Sequence, residues 1–295
     1  MRWGYHPLAG ERRTIQPLRH AIDSAAVVFE QAGIASARYD AEELAAHLAG
    51  TDRGGLALLE TPNDEFLARY HELVDARRNR VPLQHLTRTA AFGPTTLHVG
   101  PGVFIPRPET EAILEWAVSQ RLCAHSVIVD ACTGSGALAL TLAQHRPEAR
   151  VIGIDDSEAA LRYARRNCAG TAVELLRADI TTPGLLPGLD RRVDLVVANP
   201  PYIPDGAPLD PEVAQHDPPH ALFGGVDGMR VITAVVALAG RWLRPGGLLA
   251  VEHDDTTSAL TVELIVGTGL FDGVQARPDL TGRLRFVTAA RKHSP

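Results

Sequence analysis

From residue 125 onward, short Val/Ile/Leu runs alternate with helix-patterned segments, and this alternation leaves few folds open. Strands are predicted at 127–130, 151–155, 173–176, 193–198 and 248–252. Helices are predicted at 137–145, 157–167, 228–243 and 256–266. The runs are continuously apolar and do not alternate with polar residues, so both sheet faces must be covered. The expected fold is therefore α/β, a mostly parallel, doubly wound Rossmann-like sheet. Segments 273–276 and 284–289, turning at Gly282, would close it as an antiparallel C-terminal hairpin. Ligands of such sheets bind beyond the carboxyl ends of the strands, so the residues following each strand are the candidates for function.

The chain ahead of this region is helical. Ile15, Leu18, Ile22, Ala25 and Phe29 recur on one face of a helix that Gly33 would end. A second helix is expected to open at Asp40 with Glu43 as a capping box, and a third to follow Asn63 with Phe66, Tyr70, Leu73 and Val74 on one face. Arg77, Arg78 and Arg80 at its end suit the helix dipole, with contact to an RNA-bearing partner as the other use for them. Leu97, Val99, Val103 and Ile105 among Gly and Pro suggest an extended hairpin. The expected domains are an N-terminal extension at 1–13 that could be disordered, a helical domain at 14–80, a hairpin linker at 81–106 and a catalytic domain at 107–295.

Three strand ends carry chemistry. Asp130-Ala131-Cys132-Thr133-Gly134-Ser135-Gly136 ends the first strand with a loop whose glycines allow close approach to a ligand at a helix N-terminus. Gly134 to Ala139 also satisfies the dinucleotide pattern G-x-G-x-x-A, although Asp130 would suit a cofactor ammonium better than a pyrophosphate. Asp155 ends the second strand, where a carboxylate can accept hydrogen bonds from ribose hydroxyls of either cofactor kind. Asp179, followed by Ile180, is placed to meet an adenine amino group or simply to cap a loop.

Asn199-Pro200-Pro201-Tyr202, after the fourth strand, is the most specific of the three. An amide or aryl-amine nitrogen is a poor nucleophile because its lone pair is delocalised. The Asn199 side-chain oxygen and the Pro200 carbonyl can accept both hydrogens of one NH2 group, which aims that lone pair at an electrophile. Pro201 stiffens the loop, and Tyr202 offers a flat face for a planar amide or base. A sulfonium methyl group is the natural electrophile. A nicotinamide oxidoreductase leaves this motif unused, and a non-catalytic nucleotide-binding module gives it no purpose. A DNA adenine amino methyltransferase would use the same motif on a flipped base.

These residues resemble the class I S-adenosylmethionine-dependent methyltransferases that act on amino groups. Further segments are similar to one family among them, the peptide chain release factor glutamine methyltransferases (PrmC/HemK). The segments are Pro82-Leu83-Gln84-His85-Leu86, Phe92, Val103-Phe104-Ile105-Pro106-Arg107-Pro108-Glu109-Thr110-Glu111, Gly224-Gly225-Val226-Asp227-Gly228, Pro245-Gly246-Gly247 and Asp279-Leu280-Thr281-Gly282-Arg283. The likeness spans residues 15–290. It departs at Arg88, where the family often has glycine, and at Asp254-Asp255 after Glu252-His253, where it commonly has glycine.

The resemblance implies a protein substrate, the glutamine of the Gly-Gly-Gln motif in bacterial class 1 release factors, with S-adenosyl-L-homocysteine as the cofactor product. It implies that Cys132, Thr133, Gly134, Ser135 and Gly136 line the methionine part of the cofactor. Asp155 would hold the ribose, and Asp179 and Ile180 would flank the adenine. Asn199, Pro200, Pro201 and Tyr202 would hold the glutamine amide beside the cofactor methyl, Phe104 and Arg107 would wall the substrate pocket, and the helical domain would dock a second part of the release factor.

Composition narrows the partners. A net charge of -6 argues against a chain held on nucleic acid mainly through phosphates, so no direct nucleic-acid contact is expected. No apolar run approaches the ~18 residues of a membrane span, and residues 1–13 have no signal-peptide core. Cys123, Cys132 and Cys168 form neither a disulfide framework nor a zinc spacing, and the histidines show no paired spacing. A cytoplasmic enzyme with no membrane partner and no metal is expected.

Overall fold

The computed structural model describes residues 16–59 and 62–293, so the expected extension at 1–13 lies outside the described residues. The chain forms two compact units, divided between Thr87 and Arg88.

The first unit holds helices α1 (Gln16–Gln31), α2 (Ala37–Ala49), α3 (Asp64–Arg78) and α4 (Leu83–Thr87). The face expected from sequence turns inward: Leu18, Ile22, Ala25 and Phe29 of α1 pack in one core with Leu44, Tyr70 and Val74. The Asn63 side chain caps α3 by accepting from the Phe66 N–H. The start of α2 differs from the sequence expectation. The helix begins a turn earlier than Asp40, whose own N–H already donates to the Ser36 carbonyl. The Asp40 carboxylate is instead buried and accepts from Arg77 Nε at 2.7 Å.

Arg77 is thus neither a surface cation at a helix end nor a contact for a partner, but half of an internal ion pair. Arg80 donates to the carbonyls of Ala32 and Gly33 and so satisfies acceptors at the end of α1. Removing one member of a buried pair leaves an uncompensated charge. We therefore expect Asp40→Ala to destabilise this unit by about 3–5 kcal/mol, read as faster amide hydrogen exchange across α1 to α3 in the full chain.

The second unit opens with an antiparallel hairpin of β1 (Thr89–Phe92) and β2 (Thr95–His98). The expected hairpin is shorter than drawn from sequence. Val99, Val103 and Ile105 are buried in the core, but the Gly- and Pro-rich segment around them is not strand. Arg88, at its foot, has φ +61°, the left-handed conformation that glycine adopts at no steric cost. The turn at this position is therefore built on a residue that strains it.

Then follow α5 (Glu111–Ser119), β3 (Val127–Ala131), α6 (Ala137–His145), β4 (Arg150–Asp155), α7 (Glu158–Asn167), β5 (Glu174–Arg177) and β6 (Val193–Ala198). After these come α8 (Pro211–His216), α9 (Arg230–Trp242), β7 (Leu243–Glu252), α10 (Ser258–Gly267), β8 (Phe271–Pro278) and β9 (Leu284–Arg291).

The seven strands are ordered β5-β4-β3-β6-β7-β9-β8, parallel from β5 to β7, with β9 antiparallel to both neighbours. Successive residues of β6 serve opposite cores. Leu195 and Val197 pack with Ile113, Leu140 and Leu142, whereas Val196 and Ala198 pack with Ile232, Val235 and Trp242. This double coverage is why the strand reads as unbroken apolar sequence. β7 starts five residues before the expected position, because Pro245-Gly246-Gly247 runs on as strand through a register shift opposite Val193 and Leu195. A Cβ on Gly247 would lie 2.9 Å from the Val193 carbonyl oxygen, so the close pairing needs glycine.

The chain leaves β3 for β4 on one side and returns to β6 on the other, which makes the β3/β6 boundary the switch point. Ala131, Asp155, Arg177, Ala198 and Glu252 are the last residues of the parallel strands and share one sheet edge. Among the described residues no helix is long and apolar enough to cross a membrane.

Candidate active site

Two cavities open at that edge. The first, about 340 Å³, is lined by Cys132, Thr133, Gly134, Ser135, Asp155, Asp179, Ile180, Asn199, Pro201 and Phe104 of the residues singled out from sequence, together with Asp130, Asp156, Ile154, Ala178 and Val231. The second, about 310 Å³, is lined by Arg107, Pro200 and Tyr202, with Glu109, Asp210, Glu252 and Arg285. Phe104, Ala221 and Asn199 belong to both walls. Gly136 alone of the expected residues lines neither. It stands behind the loop at the start of α6, where a Cβ would press to 3.1 Å from Cys168 Sγ and 3.3 Å from Ala164 Cβ.

The loop after β3 is folded tightly. Cys132, Gly134 and Gly136 all have positive φ, at 65°, 57° and 83°. The Asp155 carboxylate holds the loop to β4, accepting from the Gly134 N–H at 2.8 Å and the Ser157 N–H at 2.9 Å. Burial nevertheless raises its pKa above the ordinary carboxylate range. Asp130 is buried beneath the loop and accepts from the Thr133 hydroxyl at 2.6 Å and the Ala139 N–H at 3.0 Å. Desolvation pushes its carboxyl up to about 7. The Cys132 thiol rises well above its usual value through burial and the surrounding carboxylates, which keeps it neutral.

This cavity fits a nucleoside joined to an amino acid. Ile154, Ala178, Ile180 and Val231 supply apolar wall, while Asp155, Asp156 and Asp179 supply acceptors for hydroxyl and amino groups. The Ser135 hydroxyl is buried with no partner, and a Cβ on Gly134 would meet nothing within 4 Å, so the loop leaves both a polar atom and open space for a ligand. The acidic lining of Asp155, Asp156 and Asp179, with Asp130 beneath the loop, suits a cationic sulfonium and ammonium better than a pyrophosphate. That charge separates the two cofactor kinds that the glycine pattern alone left open. Among the described residues no group of three His, Cys, Asp or Glu side chains could hold a metal ion.

Asn199 follows the buried end of β6, and its side-chain nitrogen donates to the Thr110 hydroxyl oxygen at 2.9 Å. Thr110 in turn donates to Glu252 Oε2 at 2.8 Å, and the Tyr202 hydroxyl donates to Glu252 Oε1 at 2.9 Å. Glu252 is almost wholly buried, and desolvation pushes its carboxyl up to about 7. Burial likewise raises the Tyr202 phenol well above its usual value. Arg107 lies over the Phe104 ring, 5.0 Å from its centroid, and bonds to the buried Asp217 carboxylate at 2.5 Å.

The loop carrying Pro201 and Tyr202 is laced to the glycine-rich segment before α9. The Ile203 N–H donates to the Leu222 carbonyl and the Gly224 N–H to the Ile203 carbonyl, both at 2.9 Å. The Asp205 N–H donates to the Gly225 carbonyl at 3.0 Å.

Thr110 and Glu252 were not singled out from sequence as site residues. Thr110 sits among acidic residues that also explain a helix start, and Glu252 reads simply as the end of a strand. The available signal was the sheet edge: a carboxylate ending an apolar strand beside the strand that Asn199 follows faces the same ligand region. The glycine expected after Glu252-His253 is replaced without cost to this geometry. The Asp254 carboxylate accepts from the Thr256 N–H at 2.9 Å and caps the following turn.

The sheet order, the acidic glycine loop and the Asn-Pro-Pro-Tyr strand end define a Rossmann-like S-adenosylmethionine-dependent methyltransferase. Residues 20–87 match the model of the PrmC N-terminal domain, and residues 128–207 match that of a methyltransferase domain. The chain is 70% identical over 278 residues to the release factor glutamine methyltransferase of Mycobacterium tuberculosis, covering 93% of this chain and 91% of that one. It is 46% identical over 265 residues to the protein of the same name from Streptomyces coelicolor, covering 88% and 93%. It is also 38% identical over 291 residues to a 4-amino-L-phenylalanine/4-methylamino-L-phenylalanine methyltransferase of Streptomyces pristinaespiralis, covering 94% and 96%. The chain belongs to the release factor glutamine methyltransferase family.

Proposed function

We propose that the protein transfers a methyl group from S-adenosylmethionine to the side-chain amide nitrogen of the glutamine in the Gly-Gly-Gln motif of class 1 peptide chain release factors. The observation that carries this reading is the position of Asn199 in the wall between the two cavities. One side chain there can touch both a bound cofactor and a planar amide entering from the Tyr202 side. The similarity to release factor glutamine methyltransferases over nearly the whole chain supports the same substrate.

When bound, the cofactor supplies an electrophilic methyl group on a sulfonium. Asp155 and Asp179 would hold its ribose and adenine ends, with Ile180 against the ring, and the loop of Cys132, Thr133, Gly134 and Ser135 would line its amino-acid part. Asn199 Oδ1 and the Pro200 carbonyl accept the two amide N–H bonds, which favours a pyramidal nitrogen with its lone pair free. Tyr202 and Phe104 cover the flat amide and exclude water, and Arg107 borders the entrance. The nitrogen loses one proton as the new bond forms, so no strong base is needed beforehand.

The helical unit, 14–80 as drawn from sequence, recognises a second part of the release factor, and residues 107–295 carry out the transfer. The reaction is cytoplasmic and needs no metal, membrane or direct nucleic-acid contact.

The test is incubation with labelled S-adenosylmethionine and either a release factor, its Gln→Ala variant in the Gly-Gly-Gln motif, or duplex DNA. Label is expected in the first alone. Label in DNA, or label persisting in the Gln→Ala factor, would exclude this substrate.

A further inference from the structure

A primary amide is nearly symmetric in shape, and Asn199 can present either its oxygen or its NH2 group to the same point. Only the oxygen can accept an N–H from a substrate amide. Presenting the NH2 instead would set donor against donor and misplace the lone pair. A site built on this side chain therefore needs something to choose between two rotamers of similar volume.

The hydrogen-bond chain behind Asn199 makes that choice through its polarity. In its ionised form Glu252 has no proton to give, so the Thr110 hydroxyl, 2.8 Å away, must spend its single hydrogen on it. The Thr110 oxygen is then left only as an acceptor. What approaches it at 2.9 Å must be a donor, and that is the Asn199 NH2 group. The Asn199 oxygen consequently points away from Thr110, free to accept. The other oxygen of the same carboxylate takes the Tyr202 hydroxyl at 2.9 Å, so one buried charge orients two members of the Asn-Pro-Pro-Tyr motif.

We propose that Thr110 and Glu252 are positioning residues that fix the amide orientation of Asn199, with Glu252 setting the direction of the chain and Thr110 transmitting it. The inference rests on the methyl-transfer reading above. It also accounts for a carboxylate kept in a nearly dry place, where burying a charge is otherwise costly.

Protonation reverses the device. A neutral Glu252 becomes a donor through one oxygen, so Thr110 or Tyr202 loses its acceptor, and a Thr110 hydroxyl turned around calls for the Asn199 oxygen. The charged and titratable groups facing Glu252 are Arg285 of β9, Glu109 ahead of α5 and Tyr202, with Asp254 acting on Tyr202 in turn. Arg285 favours the ionised carboxylate and Glu109 opposes it.

The experiment compares wild type, Thr110→Val, Thr110→Ser and Glu252→Gln on a release factor at saturating S-adenosylmethionine, with cofactor Kd measured separately. Val keeps the volume and removes the relay, so kcat is expected to fall by about 10- to 100-fold with the cofactor Kd changed less than about threefold. Ser restores the hydroxyl and is expected to stay within about threefold of wild type. Gln can offer Thr110 either a donor or an acceptor, so kcat is expected to fall by about tenfold or more and to lack the decline toward acid pH below neutrality that is expected of wild type.

Thr110→Val within threefold of wild type overturns the inference. Thr110→Ser as impaired as Thr110→Val overturns it too, because packing would then be the cause. A Glu252→Gln profile that keeps the wild-type acid limb removes Glu252 from the role. A wild-type protein that binds cofactor but does not methylate the factor overturns the functional reading itself, a result distinct from active wild type with active variants.

Discussion

Asn199→Ala is expected to lower kcat for release-factor methylation by about a hundred- to a thousandfold, the size of the loss when one oriented acceptor or donor is removed from a reacting centre. The cofactor Kd should change by less than about tenfold, because Asp155, Asp179 and the loop after β3 line the same cavity independently of it. The split distinguishes the proposed role from a purely structural one. A side chain that merely filled space would alter binding and stability together, whereas an amide clamp is used as the bond forms. Single-turnover methyl transfer alongside calorimetric cofactor binding reads the two quantities separately. Turnover near the wild-type level would show that the nitrogen is held by something other than Asn199.

Gly228→Ala should be nearly as damaging although it touches neither cavity. Its φ is +76°, and a Cβ there would lie 2.2 Å from the Tyr202 carbonyl oxygen, a distance at which the backbone must move. Gly224 is similarly pressed, with a Cβ 2.6 Å from the Pro201 carbonyl oxygen. Displacing the Pro201–Tyr202 segment by about 1 Å is expected to cost about a hundredfold in kcat.

Gly206→Ala is the proper control. Gly206 also has positive φ, +80°, but a Cβ on it would meet nothing within 4 Å, so it carries backbone strain without collision. Gly206→Ala should lose stability by about 1 kcal/mol and keep its turnover. Equal turnover losses in the two variants would assign the effect to backbone strain and not to the seating of the motif.

The frame of the catalytic unit was legible because each buried strand needs apolar residues on both faces, as β6 shows with Leu195 and Val196 serving opposite cores. The motif at Asn199 was legible because few other uses exist for that residue order at a strand end. Charge partners were not. The spacing around Asp40 satisfies a capping box equally well, and only the folded arrangement brings Arg77 to within 2.7 Å of it.

Thr110 and Glu252 failed to stand out for a related reason. They are 142 positions apart, and each has a sufficient local explanation. Hydrogen-bond polarity is a property of the assembled chain of groups and of no single segment. The left-handed turn at Arg88 shows the opposite limit, since a non-glycine residue hides a conformation that glycine would have announced.

The shared wall between the cavities also bears on how such an enzyme can diverge. Pro208, Leu209, Asp210 and Val213 line only the second cavity, and all lie in the connection between β6 and α9. The first cavity takes its acidic lining from the ends of β3, β4 and β5 and only Pro218, His220 and Ala221 from the later part of that connection, and Asn199 is fixed from behind. Mutations confined to residues 208–213 can therefore reshape which nitrogen is admitted while the lining of the first cavity is inherited intact, a modularity that lets new acceptors evolve on an unchanged engine.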